Sequence, residues 1–99
     1  MILVTGSVLA RPDCIDQALA VSLAHVRRSR TEPGCISHNV SRDAENPLRL
    51  VFVEEWQDHA TLMTHFGVAG SRAFIAALQP LVAEAPKMQV YSATPVKIG

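Results

Sequence analysis

The chain alternates between stretches with a two-residue hydrophobic repeat and stretches with a helical repeat, and each change marks a predicted element. Residues 2–10 are apolar and β-branched, which predicts a first strand. Apolar side chains then recur at helical spacing from Ile15 to Val26, so a helix with one buried face should follow and end near Arg30. Asp13 is expected to cap the start of this helix.

Two further strands follow and form a hairpin. A turn at Pro33-Gly34 precedes a strand over residues 35–42, and a polar connection over 43–47 leads into a strand over 48–56. Side chains of this third strand alternate between its two faces, yet residues 50–53 are apolar on both. A sheet covered by helices on one face normally presents polar residues on the other. The second face is therefore expected to be covered too, by a partner subunit or a ligand.

The last third of the chain predicts two helical segments and a final strand. Asp58 is placed to cap a short helix that Gly67 and Gly70 should end, and Ser71 is placed to cap a second helix. Residues 88–96 predict a fourth strand. The expected anchors of that strand are Met88, Val90 and Tyr91.

The order β-α-β-β-α-β predicts a ferredoxin-like α+β fold, in which an antiparallel four-stranded sheet carries its helices on one face. Residues 1–99 are expected to form a single domain, because the length matches the commonest domain size and no linker or repeat interrupts the chain. Two such sheets meeting face to face would bury the face that the helices leave bare.

Composition excludes some classes of protein. The chain is 48% hydrophobic and 18% charged, and its nine basic residues balance nine acidic ones, as in an ordinary globular domain. The densest basic group, His25 with Arg27, Arg28 and Arg30, is interpreted as solvated side chains that complement the dipole at the end of the first helix. Without interleaved aromatics or a basic net charge, a nucleic-acid surface is not expected.

The cysteines and the hydrophobic runs bear on location. Cys14 and Cys35 show no Cys-x-x-Cys spacing, and no secretion signal precedes them, which predicts reduced thiols in a cytoplasmic protein. No segment approaches the ~20 apolar residues that a membrane helix needs, so no membrane partner is expected.

Several motifs together resemble one family. The motifs are, in order, Glu32-Pro33-Gly34-Cys35 ahead of the hairpin, Glu54-x-Trp56-x-Asp58, His65, and a helix containing Phe74. Together they resemble the antibiotic biosynthesis monooxygenase (ABM) domain family, which includes quinol monooxygenase-like proteins. The resemblance runs from Met1 to about Tyr91. It implies a dimeric α/β barrel with a pocket between each sheet and its helices. It also implies oxygenation of phenolic or quinol-like substrates without metal or flavin.

The sequence departs from the family pattern at two strands. His38 stands on the second strand where many relatives carry a tyrosine. The haem-degrading branch uses an asparagine on its first strand, where this chain offers only Thr5 and Ser7 as polar residues. Haem chemistry is therefore not expected.

Oxygenation without a cofactor needs a base for the phenol, donors for the resulting anion, and an apolar cavity. His65 is the leading candidate for the base, although a helix-end histidine can also serve structure alone. Trp56 is expected to anchor the core, and its indole N–H can also donate to a substrate oxygen. Glu54 shares the face of Trp56, so it should be paired or have a raised pKa.

The remaining candidates are expected to bind the substrate. Arg72 can hold an anionic group or pair with a carboxylate such as Glu54. His38 and Asn39 face opposite sides of their strand, so one at most should line a given pocket. The aromatic candidates are Phe52, Phe66 and Phe74.

No metal or cofactor is expected. His59 and His65 are six residues apart, which places them roughly 240° apart around a helix. No other spacing of histidine, cysteine or acidic residues resembles a zinc or iron site.

Three functions stay open. The first is a homodimeric, cofactor-independent monooxygenase that acts on a phenolic, quinol or polyketide-like aromatic. The second is a proton-transfer isomerase that uses His65 and Glu54 in the same pocket. The third is a non-catalytic module for ligand binding or dimerisation.

Overall fold

A computed structural model of the chain describes residues 1–99. Its elements are β1, Ile2–Leu9; α1, Ile15–Ser29; β2, Cys35–Arg42; β3, Arg49–Trp56; α2, His59–Gly67; α3, Ala69–Leu78; a 3-10 turn, Gln79–Leu81; and β4, Lys87–Ser92. The strands form one antiparallel sheet in the order β2-β3-β1-β4. The predicted ferredoxin-like α+β fold is thereby confirmed.

The helices pack on one face of the sheet and enclose the core. The larger core cluster joins Val8 of β1 and Leu50 of β3 to Ala18 and Val26 of α1. A smaller cluster surrounds Trp56, which is fully buried. Alternate residues of β3 from Leu50 to Trp56 are all buried on this side, as the period-two pattern predicted.

The starts of α1 and α2 differ in how they are capped. Cys14 occupies the N-cap of α1 and no side chain caps that helix, so the prediction for Asp13 is wrong. The reason is that residues 11–14 form a turn ahead of the helix, which places Asp13 before its first free N–H groups. The prediction for Asp58 is confirmed, because its Oδ1 accepts the Thr61 backbone N–H at 2.8 Å.

The junction of α2 and α3 is tighter than predicted. Gly67 ends α2, but Gly70 lies inside α3, and Val68 rather than Ser71 occupies the N-cap of α3. The extended backbone of Val68 is enough to separate the two helices. Gly70 serves packing instead, since a Cβ there would lie 2.6 Å from the guanidinium carbon of Arg28.

The edge strand β4 is shorter than predicted and is uncovered. It ends at Ser92, and its three expected anchors are 44–56% exposed, because β4 pairs with β1 alone at the border of the sheet. Val53, on the face of the sheet opposite the helices, is 41% exposed. The face predicted to need a cover is therefore open in the single chain. None of the helices has the length and apolar composition of a membrane span.

The turn before β2 generates a test of the fold. Gly34 has a φ of +83°, and a Cβ added there would lie 2.4 Å from Cγ2 of Thr61 in α2. We expect Gly34→Ala to lower the free energy of unfolding by on the order of 1–3 kcal/mol, measured by urea denaturation.

Gly67→Ala is the matched control, because a Cβ at Gly67 meets nothing within 4 Å. This second variant should be neutral or stabilising by up to about 1 kcal/mol. Equal stabilities for the two variants would contradict the role assigned to the turn.

Candidate functional site

A cavity of about 310 Å³ lies between the sheet and the helices, where the family resemblance placed a pocket. Its apolar wall includes the predicted aromatic residues Phe52, Phe66 and Phe74. Four buried ionisable side chains also line it, one each from α1, β2, β3 and α2: His25, His38, Glu54 and His65.

The topology explains why these four groups converge. His38 pairs directly with Glu54 in the register of β2 against β3, so both side chains point to the helical side of the sheet. His25 lies on the buried face of α1 that also contains Ser22 and Val26. His65 lies in the last turn of α2 and is 2% exposed.

His65 has the hydrogen bonding of a general base. Its Nδ1 lies 3.0 Å from Oε1 of Glu32, just beyond the end of α1. A carboxylate can only accept, so Nδ1 carries a proton and donates, and in the neutral ring Nε2 then has a free lone pair. Nε2 lies 3.8 Å from Oε1 of Glu54. A lone pair held in a buried cavity is suited to taking a proton from a ligand.

His25 has the opposite arrangement. Nη2 of Arg28 donates to its Nδ1 at 2.6 Å. A guanidinium cannot accept, so the proton of the neutral ring lies on Nε2. Burial, with the nearby charges of His38, Arg28 and His65, lowers the pKa of His25 to about 3. The ring is stacked on Phe74, with centroids 4.0 Å apart and planes 7° apart.

His38 is a buried polar side chain without a hydrogen-bond partner on either ring nitrogen. It is 1% exposed, and its Nε2 lies 3.5 Å from Oε2 of Glu54. Burial, followed by the charges of His65 and Arg30, lowers its pKa to about 3. Buried polar groups are normally satisfied, so the unpaired imidazole of His38 is an exception within this structure.

Glu54 and Trp56 support this cluster. The indole N–H of Trp56 donates to Oε1 of Glu54 at 2.9 Å, and the rings of Trp56 and His65 lie 4.6 Å apart. Burial raises the pKa of Glu54, although the Trp56 hydrogen bond opposes the shift, so the predictions of pairing and of a raised pKa are confirmed. The indole N–H predicted to be available to a substrate is occupied, and Trp56 does not line the cavity.

The structure brings most of the predicted binding residues together. His38, Glu54, Arg72 and the three phenylalanines line the cavity with His65. Asn39 does not, because it points to the opposite face of the sheet, where its Oδ1 accepts from Arg30 at 3.1 Å. Arg72 is exposed and forms no ion pair with Glu54. What each lining residue does for a substrate stays a prediction.

The main omission from the sequence analysis is His25. It was interpreted as part of a solvated basic group, which is wrong, because only 7% of it is exposed. Its position three residues after the buried Ser22 could have placed it on the apolar stripe. The contacts of Arg28 and Glu32 with the two histidines carry no local sequence signal.

The three histidines form a cluster that local spacing did not indicate, because they come from three different elements. A nitrogen of each lies within 4.8 Å of a nitrogen of the other two. A ligating histidine donates its outer N–H to an acceptor, whereas His25 accepts from Arg28. As arranged, the cluster suits proton transfer better than metal binding.

Comparisons with known proteins identify the family of the chain. The model of a family described as antibiotic biosynthesis monooxygenase matches residues 1–77. An uncharacterized protein of Synechocystis sp. is 30% identical over 90 residues, which make up 91% of this chain and 61% of that protein. This chain thus spans less than two thirds of that relative.

Solved structures are similar over nearly the whole chain. An antibiotic biosynthesis monooxygenase is 25% identical, with a TM-score of 0.89 over 96% of this chain and all of that one. A Deinococcus radiodurans protein of the same description has a TM-score of 0.93 at 24% identity, over 99% and 97% of the two chains. A Bacteroides thetaiotaomicron protein of unknown function, described as a possible oxidoreductase, has a TM-score of 0.85 at 19% identity, over 91% and 94%. The last two likenesses show the fold alone.

The histidine pKa values predict an acid-sensitive fold. An unfolded histidine takes its proton near pH 6.5, whereas native His25 and His38 do so only at about 3. Between these values the unfolded chain binds more protons, so the free energy of unfolding should fall as the pH is lowered from 6.5 towards 3. The raised pKa of Glu54 contributes in the opposite sense above 4.5, where the native state binds the extra proton.

Urea denaturation at pH 7.5, 6 and 5 measures this dependence. His38→Leu should flatten it, whereas His59→Asn, at an exposed histidine of α2, should leave it unchanged. A pH dependence that His38→Leu leaves unchanged would exclude a neutral buried His38.

Proposed function

Because the chain belongs to the antibiotic biosynthesis monooxygenase family, we propose that it is a cofactor-independent monooxygenase that oxidises a phenolic, quinol-like or polyketide-like aromatic with O2. One observation carries the proposal. Glu32 accepts a hydrogen bond from Nδ1 of His65. The unprotonated Nε2 of this buried histidine then lies at the wall of a largely apolar cavity. A base in that position is the main requirement for cofactor-free oxygenation.

The proposed reaction begins with proton transfer. His65 Nε2 takes the proton of a phenol or enol, and the resulting electron-rich anion reacts with O2. For a substrate with an activated CH2 group, such as an anthrone, two C–H bonds are lost and a C=O bond forms with one oxygen atom. The other oxygen atom leaves as water. The four electrons come from the substrate, so no external reductant is needed.

The walls of the cavity favour a planar aromatic substrate. Phe52 and Phe74 lie 6.2 Å apart between centroids in an edge-to-face arrangement, and Phe66 extends the aromatic wall beside His65. An apolar enclosure also limits water, which would otherwise stabilise the substrate anion and slow its reaction with O2. Arg72, which is exposed and lines the cavity, is placed to contact an anionic substituent.

An isomerase is the second candidate. His65 Nε2 and Glu54 Oε1 are 3.8 Å apart, and burial raises the pKa of the carboxyl group. Two groups that can each hold a proton at the same wall could move it between two carbon atoms flanking a carbonyl. This reaction needs no O2, which separates it from the first candidate.

We also propose that the protein works as a homodimer. Val53 lies at the centre of the open face, paired with Thr5 of β1 and Asn39 of β2, and it is 41% exposed. Exposed apolar side chains continue on the neighbouring strands at Ile36 and Tyr91. A second sheet packed on this face would remove them from water.

The oxygenase proposal predicts O2 uptake that depends on His65. Metal-stripped protein should consume dissolved oxygen with a hydroquinone or an anthrone from a panel, and His65→Ala should lower the rate by about 10²–10⁴-fold. His59→Ala, on the exposed side of the same helix, should retain the wild-type rate.

Uptake that His65→Ala leaves unchanged would exclude His65 as the base. Turnover of a panel member under strict anaerobiosis would instead favour the isomerase. Tight binding of a panel aromatic without turnover in either atmosphere would favour a ligand-binding module.

The dimer proposal predicts a mass of about twice the 10.7 kDa chain by light scattering. Val53→Asp should produce monomers, because it places a charge at the centre of the proposed interface. Met63→Asp is the matched control, since Met63 is 42% exposed on α2, away from the sheet. A monomeric wild-type protein at micromolar concentration would contradict the proposal.

A further inference from the structure

We infer that the Arg28–Glu32 ion pair at the end of α1 holds His25 and His65 in opposite tautomers, so that the two imidazoles bracket one oxygen atom of the substrate. His65 Nε2 then accepts the proton of that oxygen, and His25 Nε2–H donates to the oxyanion left behind. The inference rests on the proposed role of His65 and adds His25 as a catalytic residue. Arg28 and Glu32 are its positioning residues.

The contacts form one continuous line. Nη2 of Arg28 lies 2.6 Å from Nδ1 of His25, Nε of Arg28 lies 3.7 Å from Oε2 of Glu32, and Oε1 of Glu32 lies 3.0 Å from Nδ1 of His65. Arg28 lies in the last turn of α1, and the turn that follows the helix places Glu32 on the same side. The pair thus contacts the outer nitrogen of each histidine.

The chemistry of the two charges makes the tautomers opposite. Arg28 can only donate, which requires an unprotonated Nδ1 on His25 and places its proton on Nε2. Glu32 can only accept, which requires a protonated Nδ1 on His65 and leaves Nε2 unprotonated in the neutral ring. The two inner nitrogens are therefore one donor and one acceptor. A site that removes a proton from an oxygen and stabilises the resulting anion needs one of each.

The separation of the rings fits a single oxygen atom. The centroids of His25 and His65 lie 5.2 Å apart, and nitrogens of the two rings come within 4.8 Å. An oxygen about 2.8 Å from each of two nitrogens can bridge a gap of up to about 5.6 Å, so one phenolic oxygen can donate to one of these rings and accept from the other.

The position of Arg28 is fixed by α3. Nη2 also lies 3.3 Å from the hydroxyl of the buried Ser71, which can accept from it. Gly70 provides the space, because a Cβ there would come within 2.6 Å of the guanidinium. A methyl group at position 70 should therefore displace Arg28 from His25 without changing any titratable residue.

Nitrogen-15 NMR of the histidine side chains tests the assignment without requiring turnover. The chain has four histidines, so each signal can be assigned by single substitution. In the wild-type protein at pH 7 we expect His65 protonated on Nδ1 and His25 on Nε2. Gly70→Ala should change the tautomer of His25 but not of His65, Glu32→Gln should change that of His65, and Gly67→Ala should change neither.

A wild-type His25 protonated on Nδ1, or His65 on Nε2, would overturn the inference whether or not the protein consumes oxygen. Failure of the oxygenase proposal would appear separately, as a silent oxygen electrode with the expected tautomers present. The spectra of the folded variants also report whether a substitution has unfolded the chain.

Kinetics then test whether the tautomers matter. With a substrate that supports oxygen uptake, His25→Phe keeps the stacking on Phe74 but removes the donor, so kcat should fall by about 10²-fold or more. Glu32→Gln and Gly70→Ala should lower kcat by about tenfold with little change in KM, and Glu32→Gln should shift the pH profile of kcat. Glu54 and His38 also face His65 and contribute to that profile in every variant. Switched tautomers with unchanged kcat and pH profile would overturn the positioning role.

Discussion

The structure depends on how four buried ionisable side chains are accommodated around one apolar cavity. An isolated charge in such a place costs several kcal/mol, so the fold must neutralise these groups or pair them. His25 and His38 are neutral because burial lowers their pKa values to about 3, and burial raises the pKa of Glu54. The full charges of Arg28 and Glu32 lie behind the histidines, where each is partly exposed. The buried part of the cavity wall thus contains two uncharged histidines, while the charged side chain of Arg72 lies at its exposed side.

This constraint also explains the roles of residues that do not line the cavity. The indole N–H of Trp56 donates to the carboxyl group of Glu54. Gly70 has no side chain, which leaves space for the guanidinium of Arg28 between α1 and α3. Gly34 turns the chain directly after the α1 end, so Glu32 remains beside α2 and within reach of His65. The Glu-Pro-Gly-Cys motif therefore has two roles. Gly34 forms the left-handed turn, and Glu32 supplies the carboxylate that contacts His65.

The sequence predicted the fold better than the site, for a physical reason. Hydrophobic repeats and local turn signals specify strands such as β2 and helices such as α2, because the pattern of a segment determines which of its faces is buried. His65, Glu54 and the phenylalanines of the cavity could be named from their motifs. His25 could not, since its burial depends on α3 packing over α1, and a histidine beside arginines in a helix end is usually solvated. Contacts between elements, such as Arg28 with His25, have no signal in either segment alone.

The direction of the hydrogen bonds decides between two uses of a three-histidine cluster. Clusters that hold metals place acceptors behind each imidazole, which leaves every inner nitrogen with a lone pair. Here an acceptor stands behind His65 but a donor stands behind His25, so the inner nitrogens differ in kind. A hydrogen-bond acceptor in place of Arg28 would leave the inner nitrogen of His25 with a lone pair, like that of His65. Two such lone pairs would favour a cation. The Arg28–Glu32 pair therefore gives the two inner nitrogens the opposite characters that the proposed proton transfer uses.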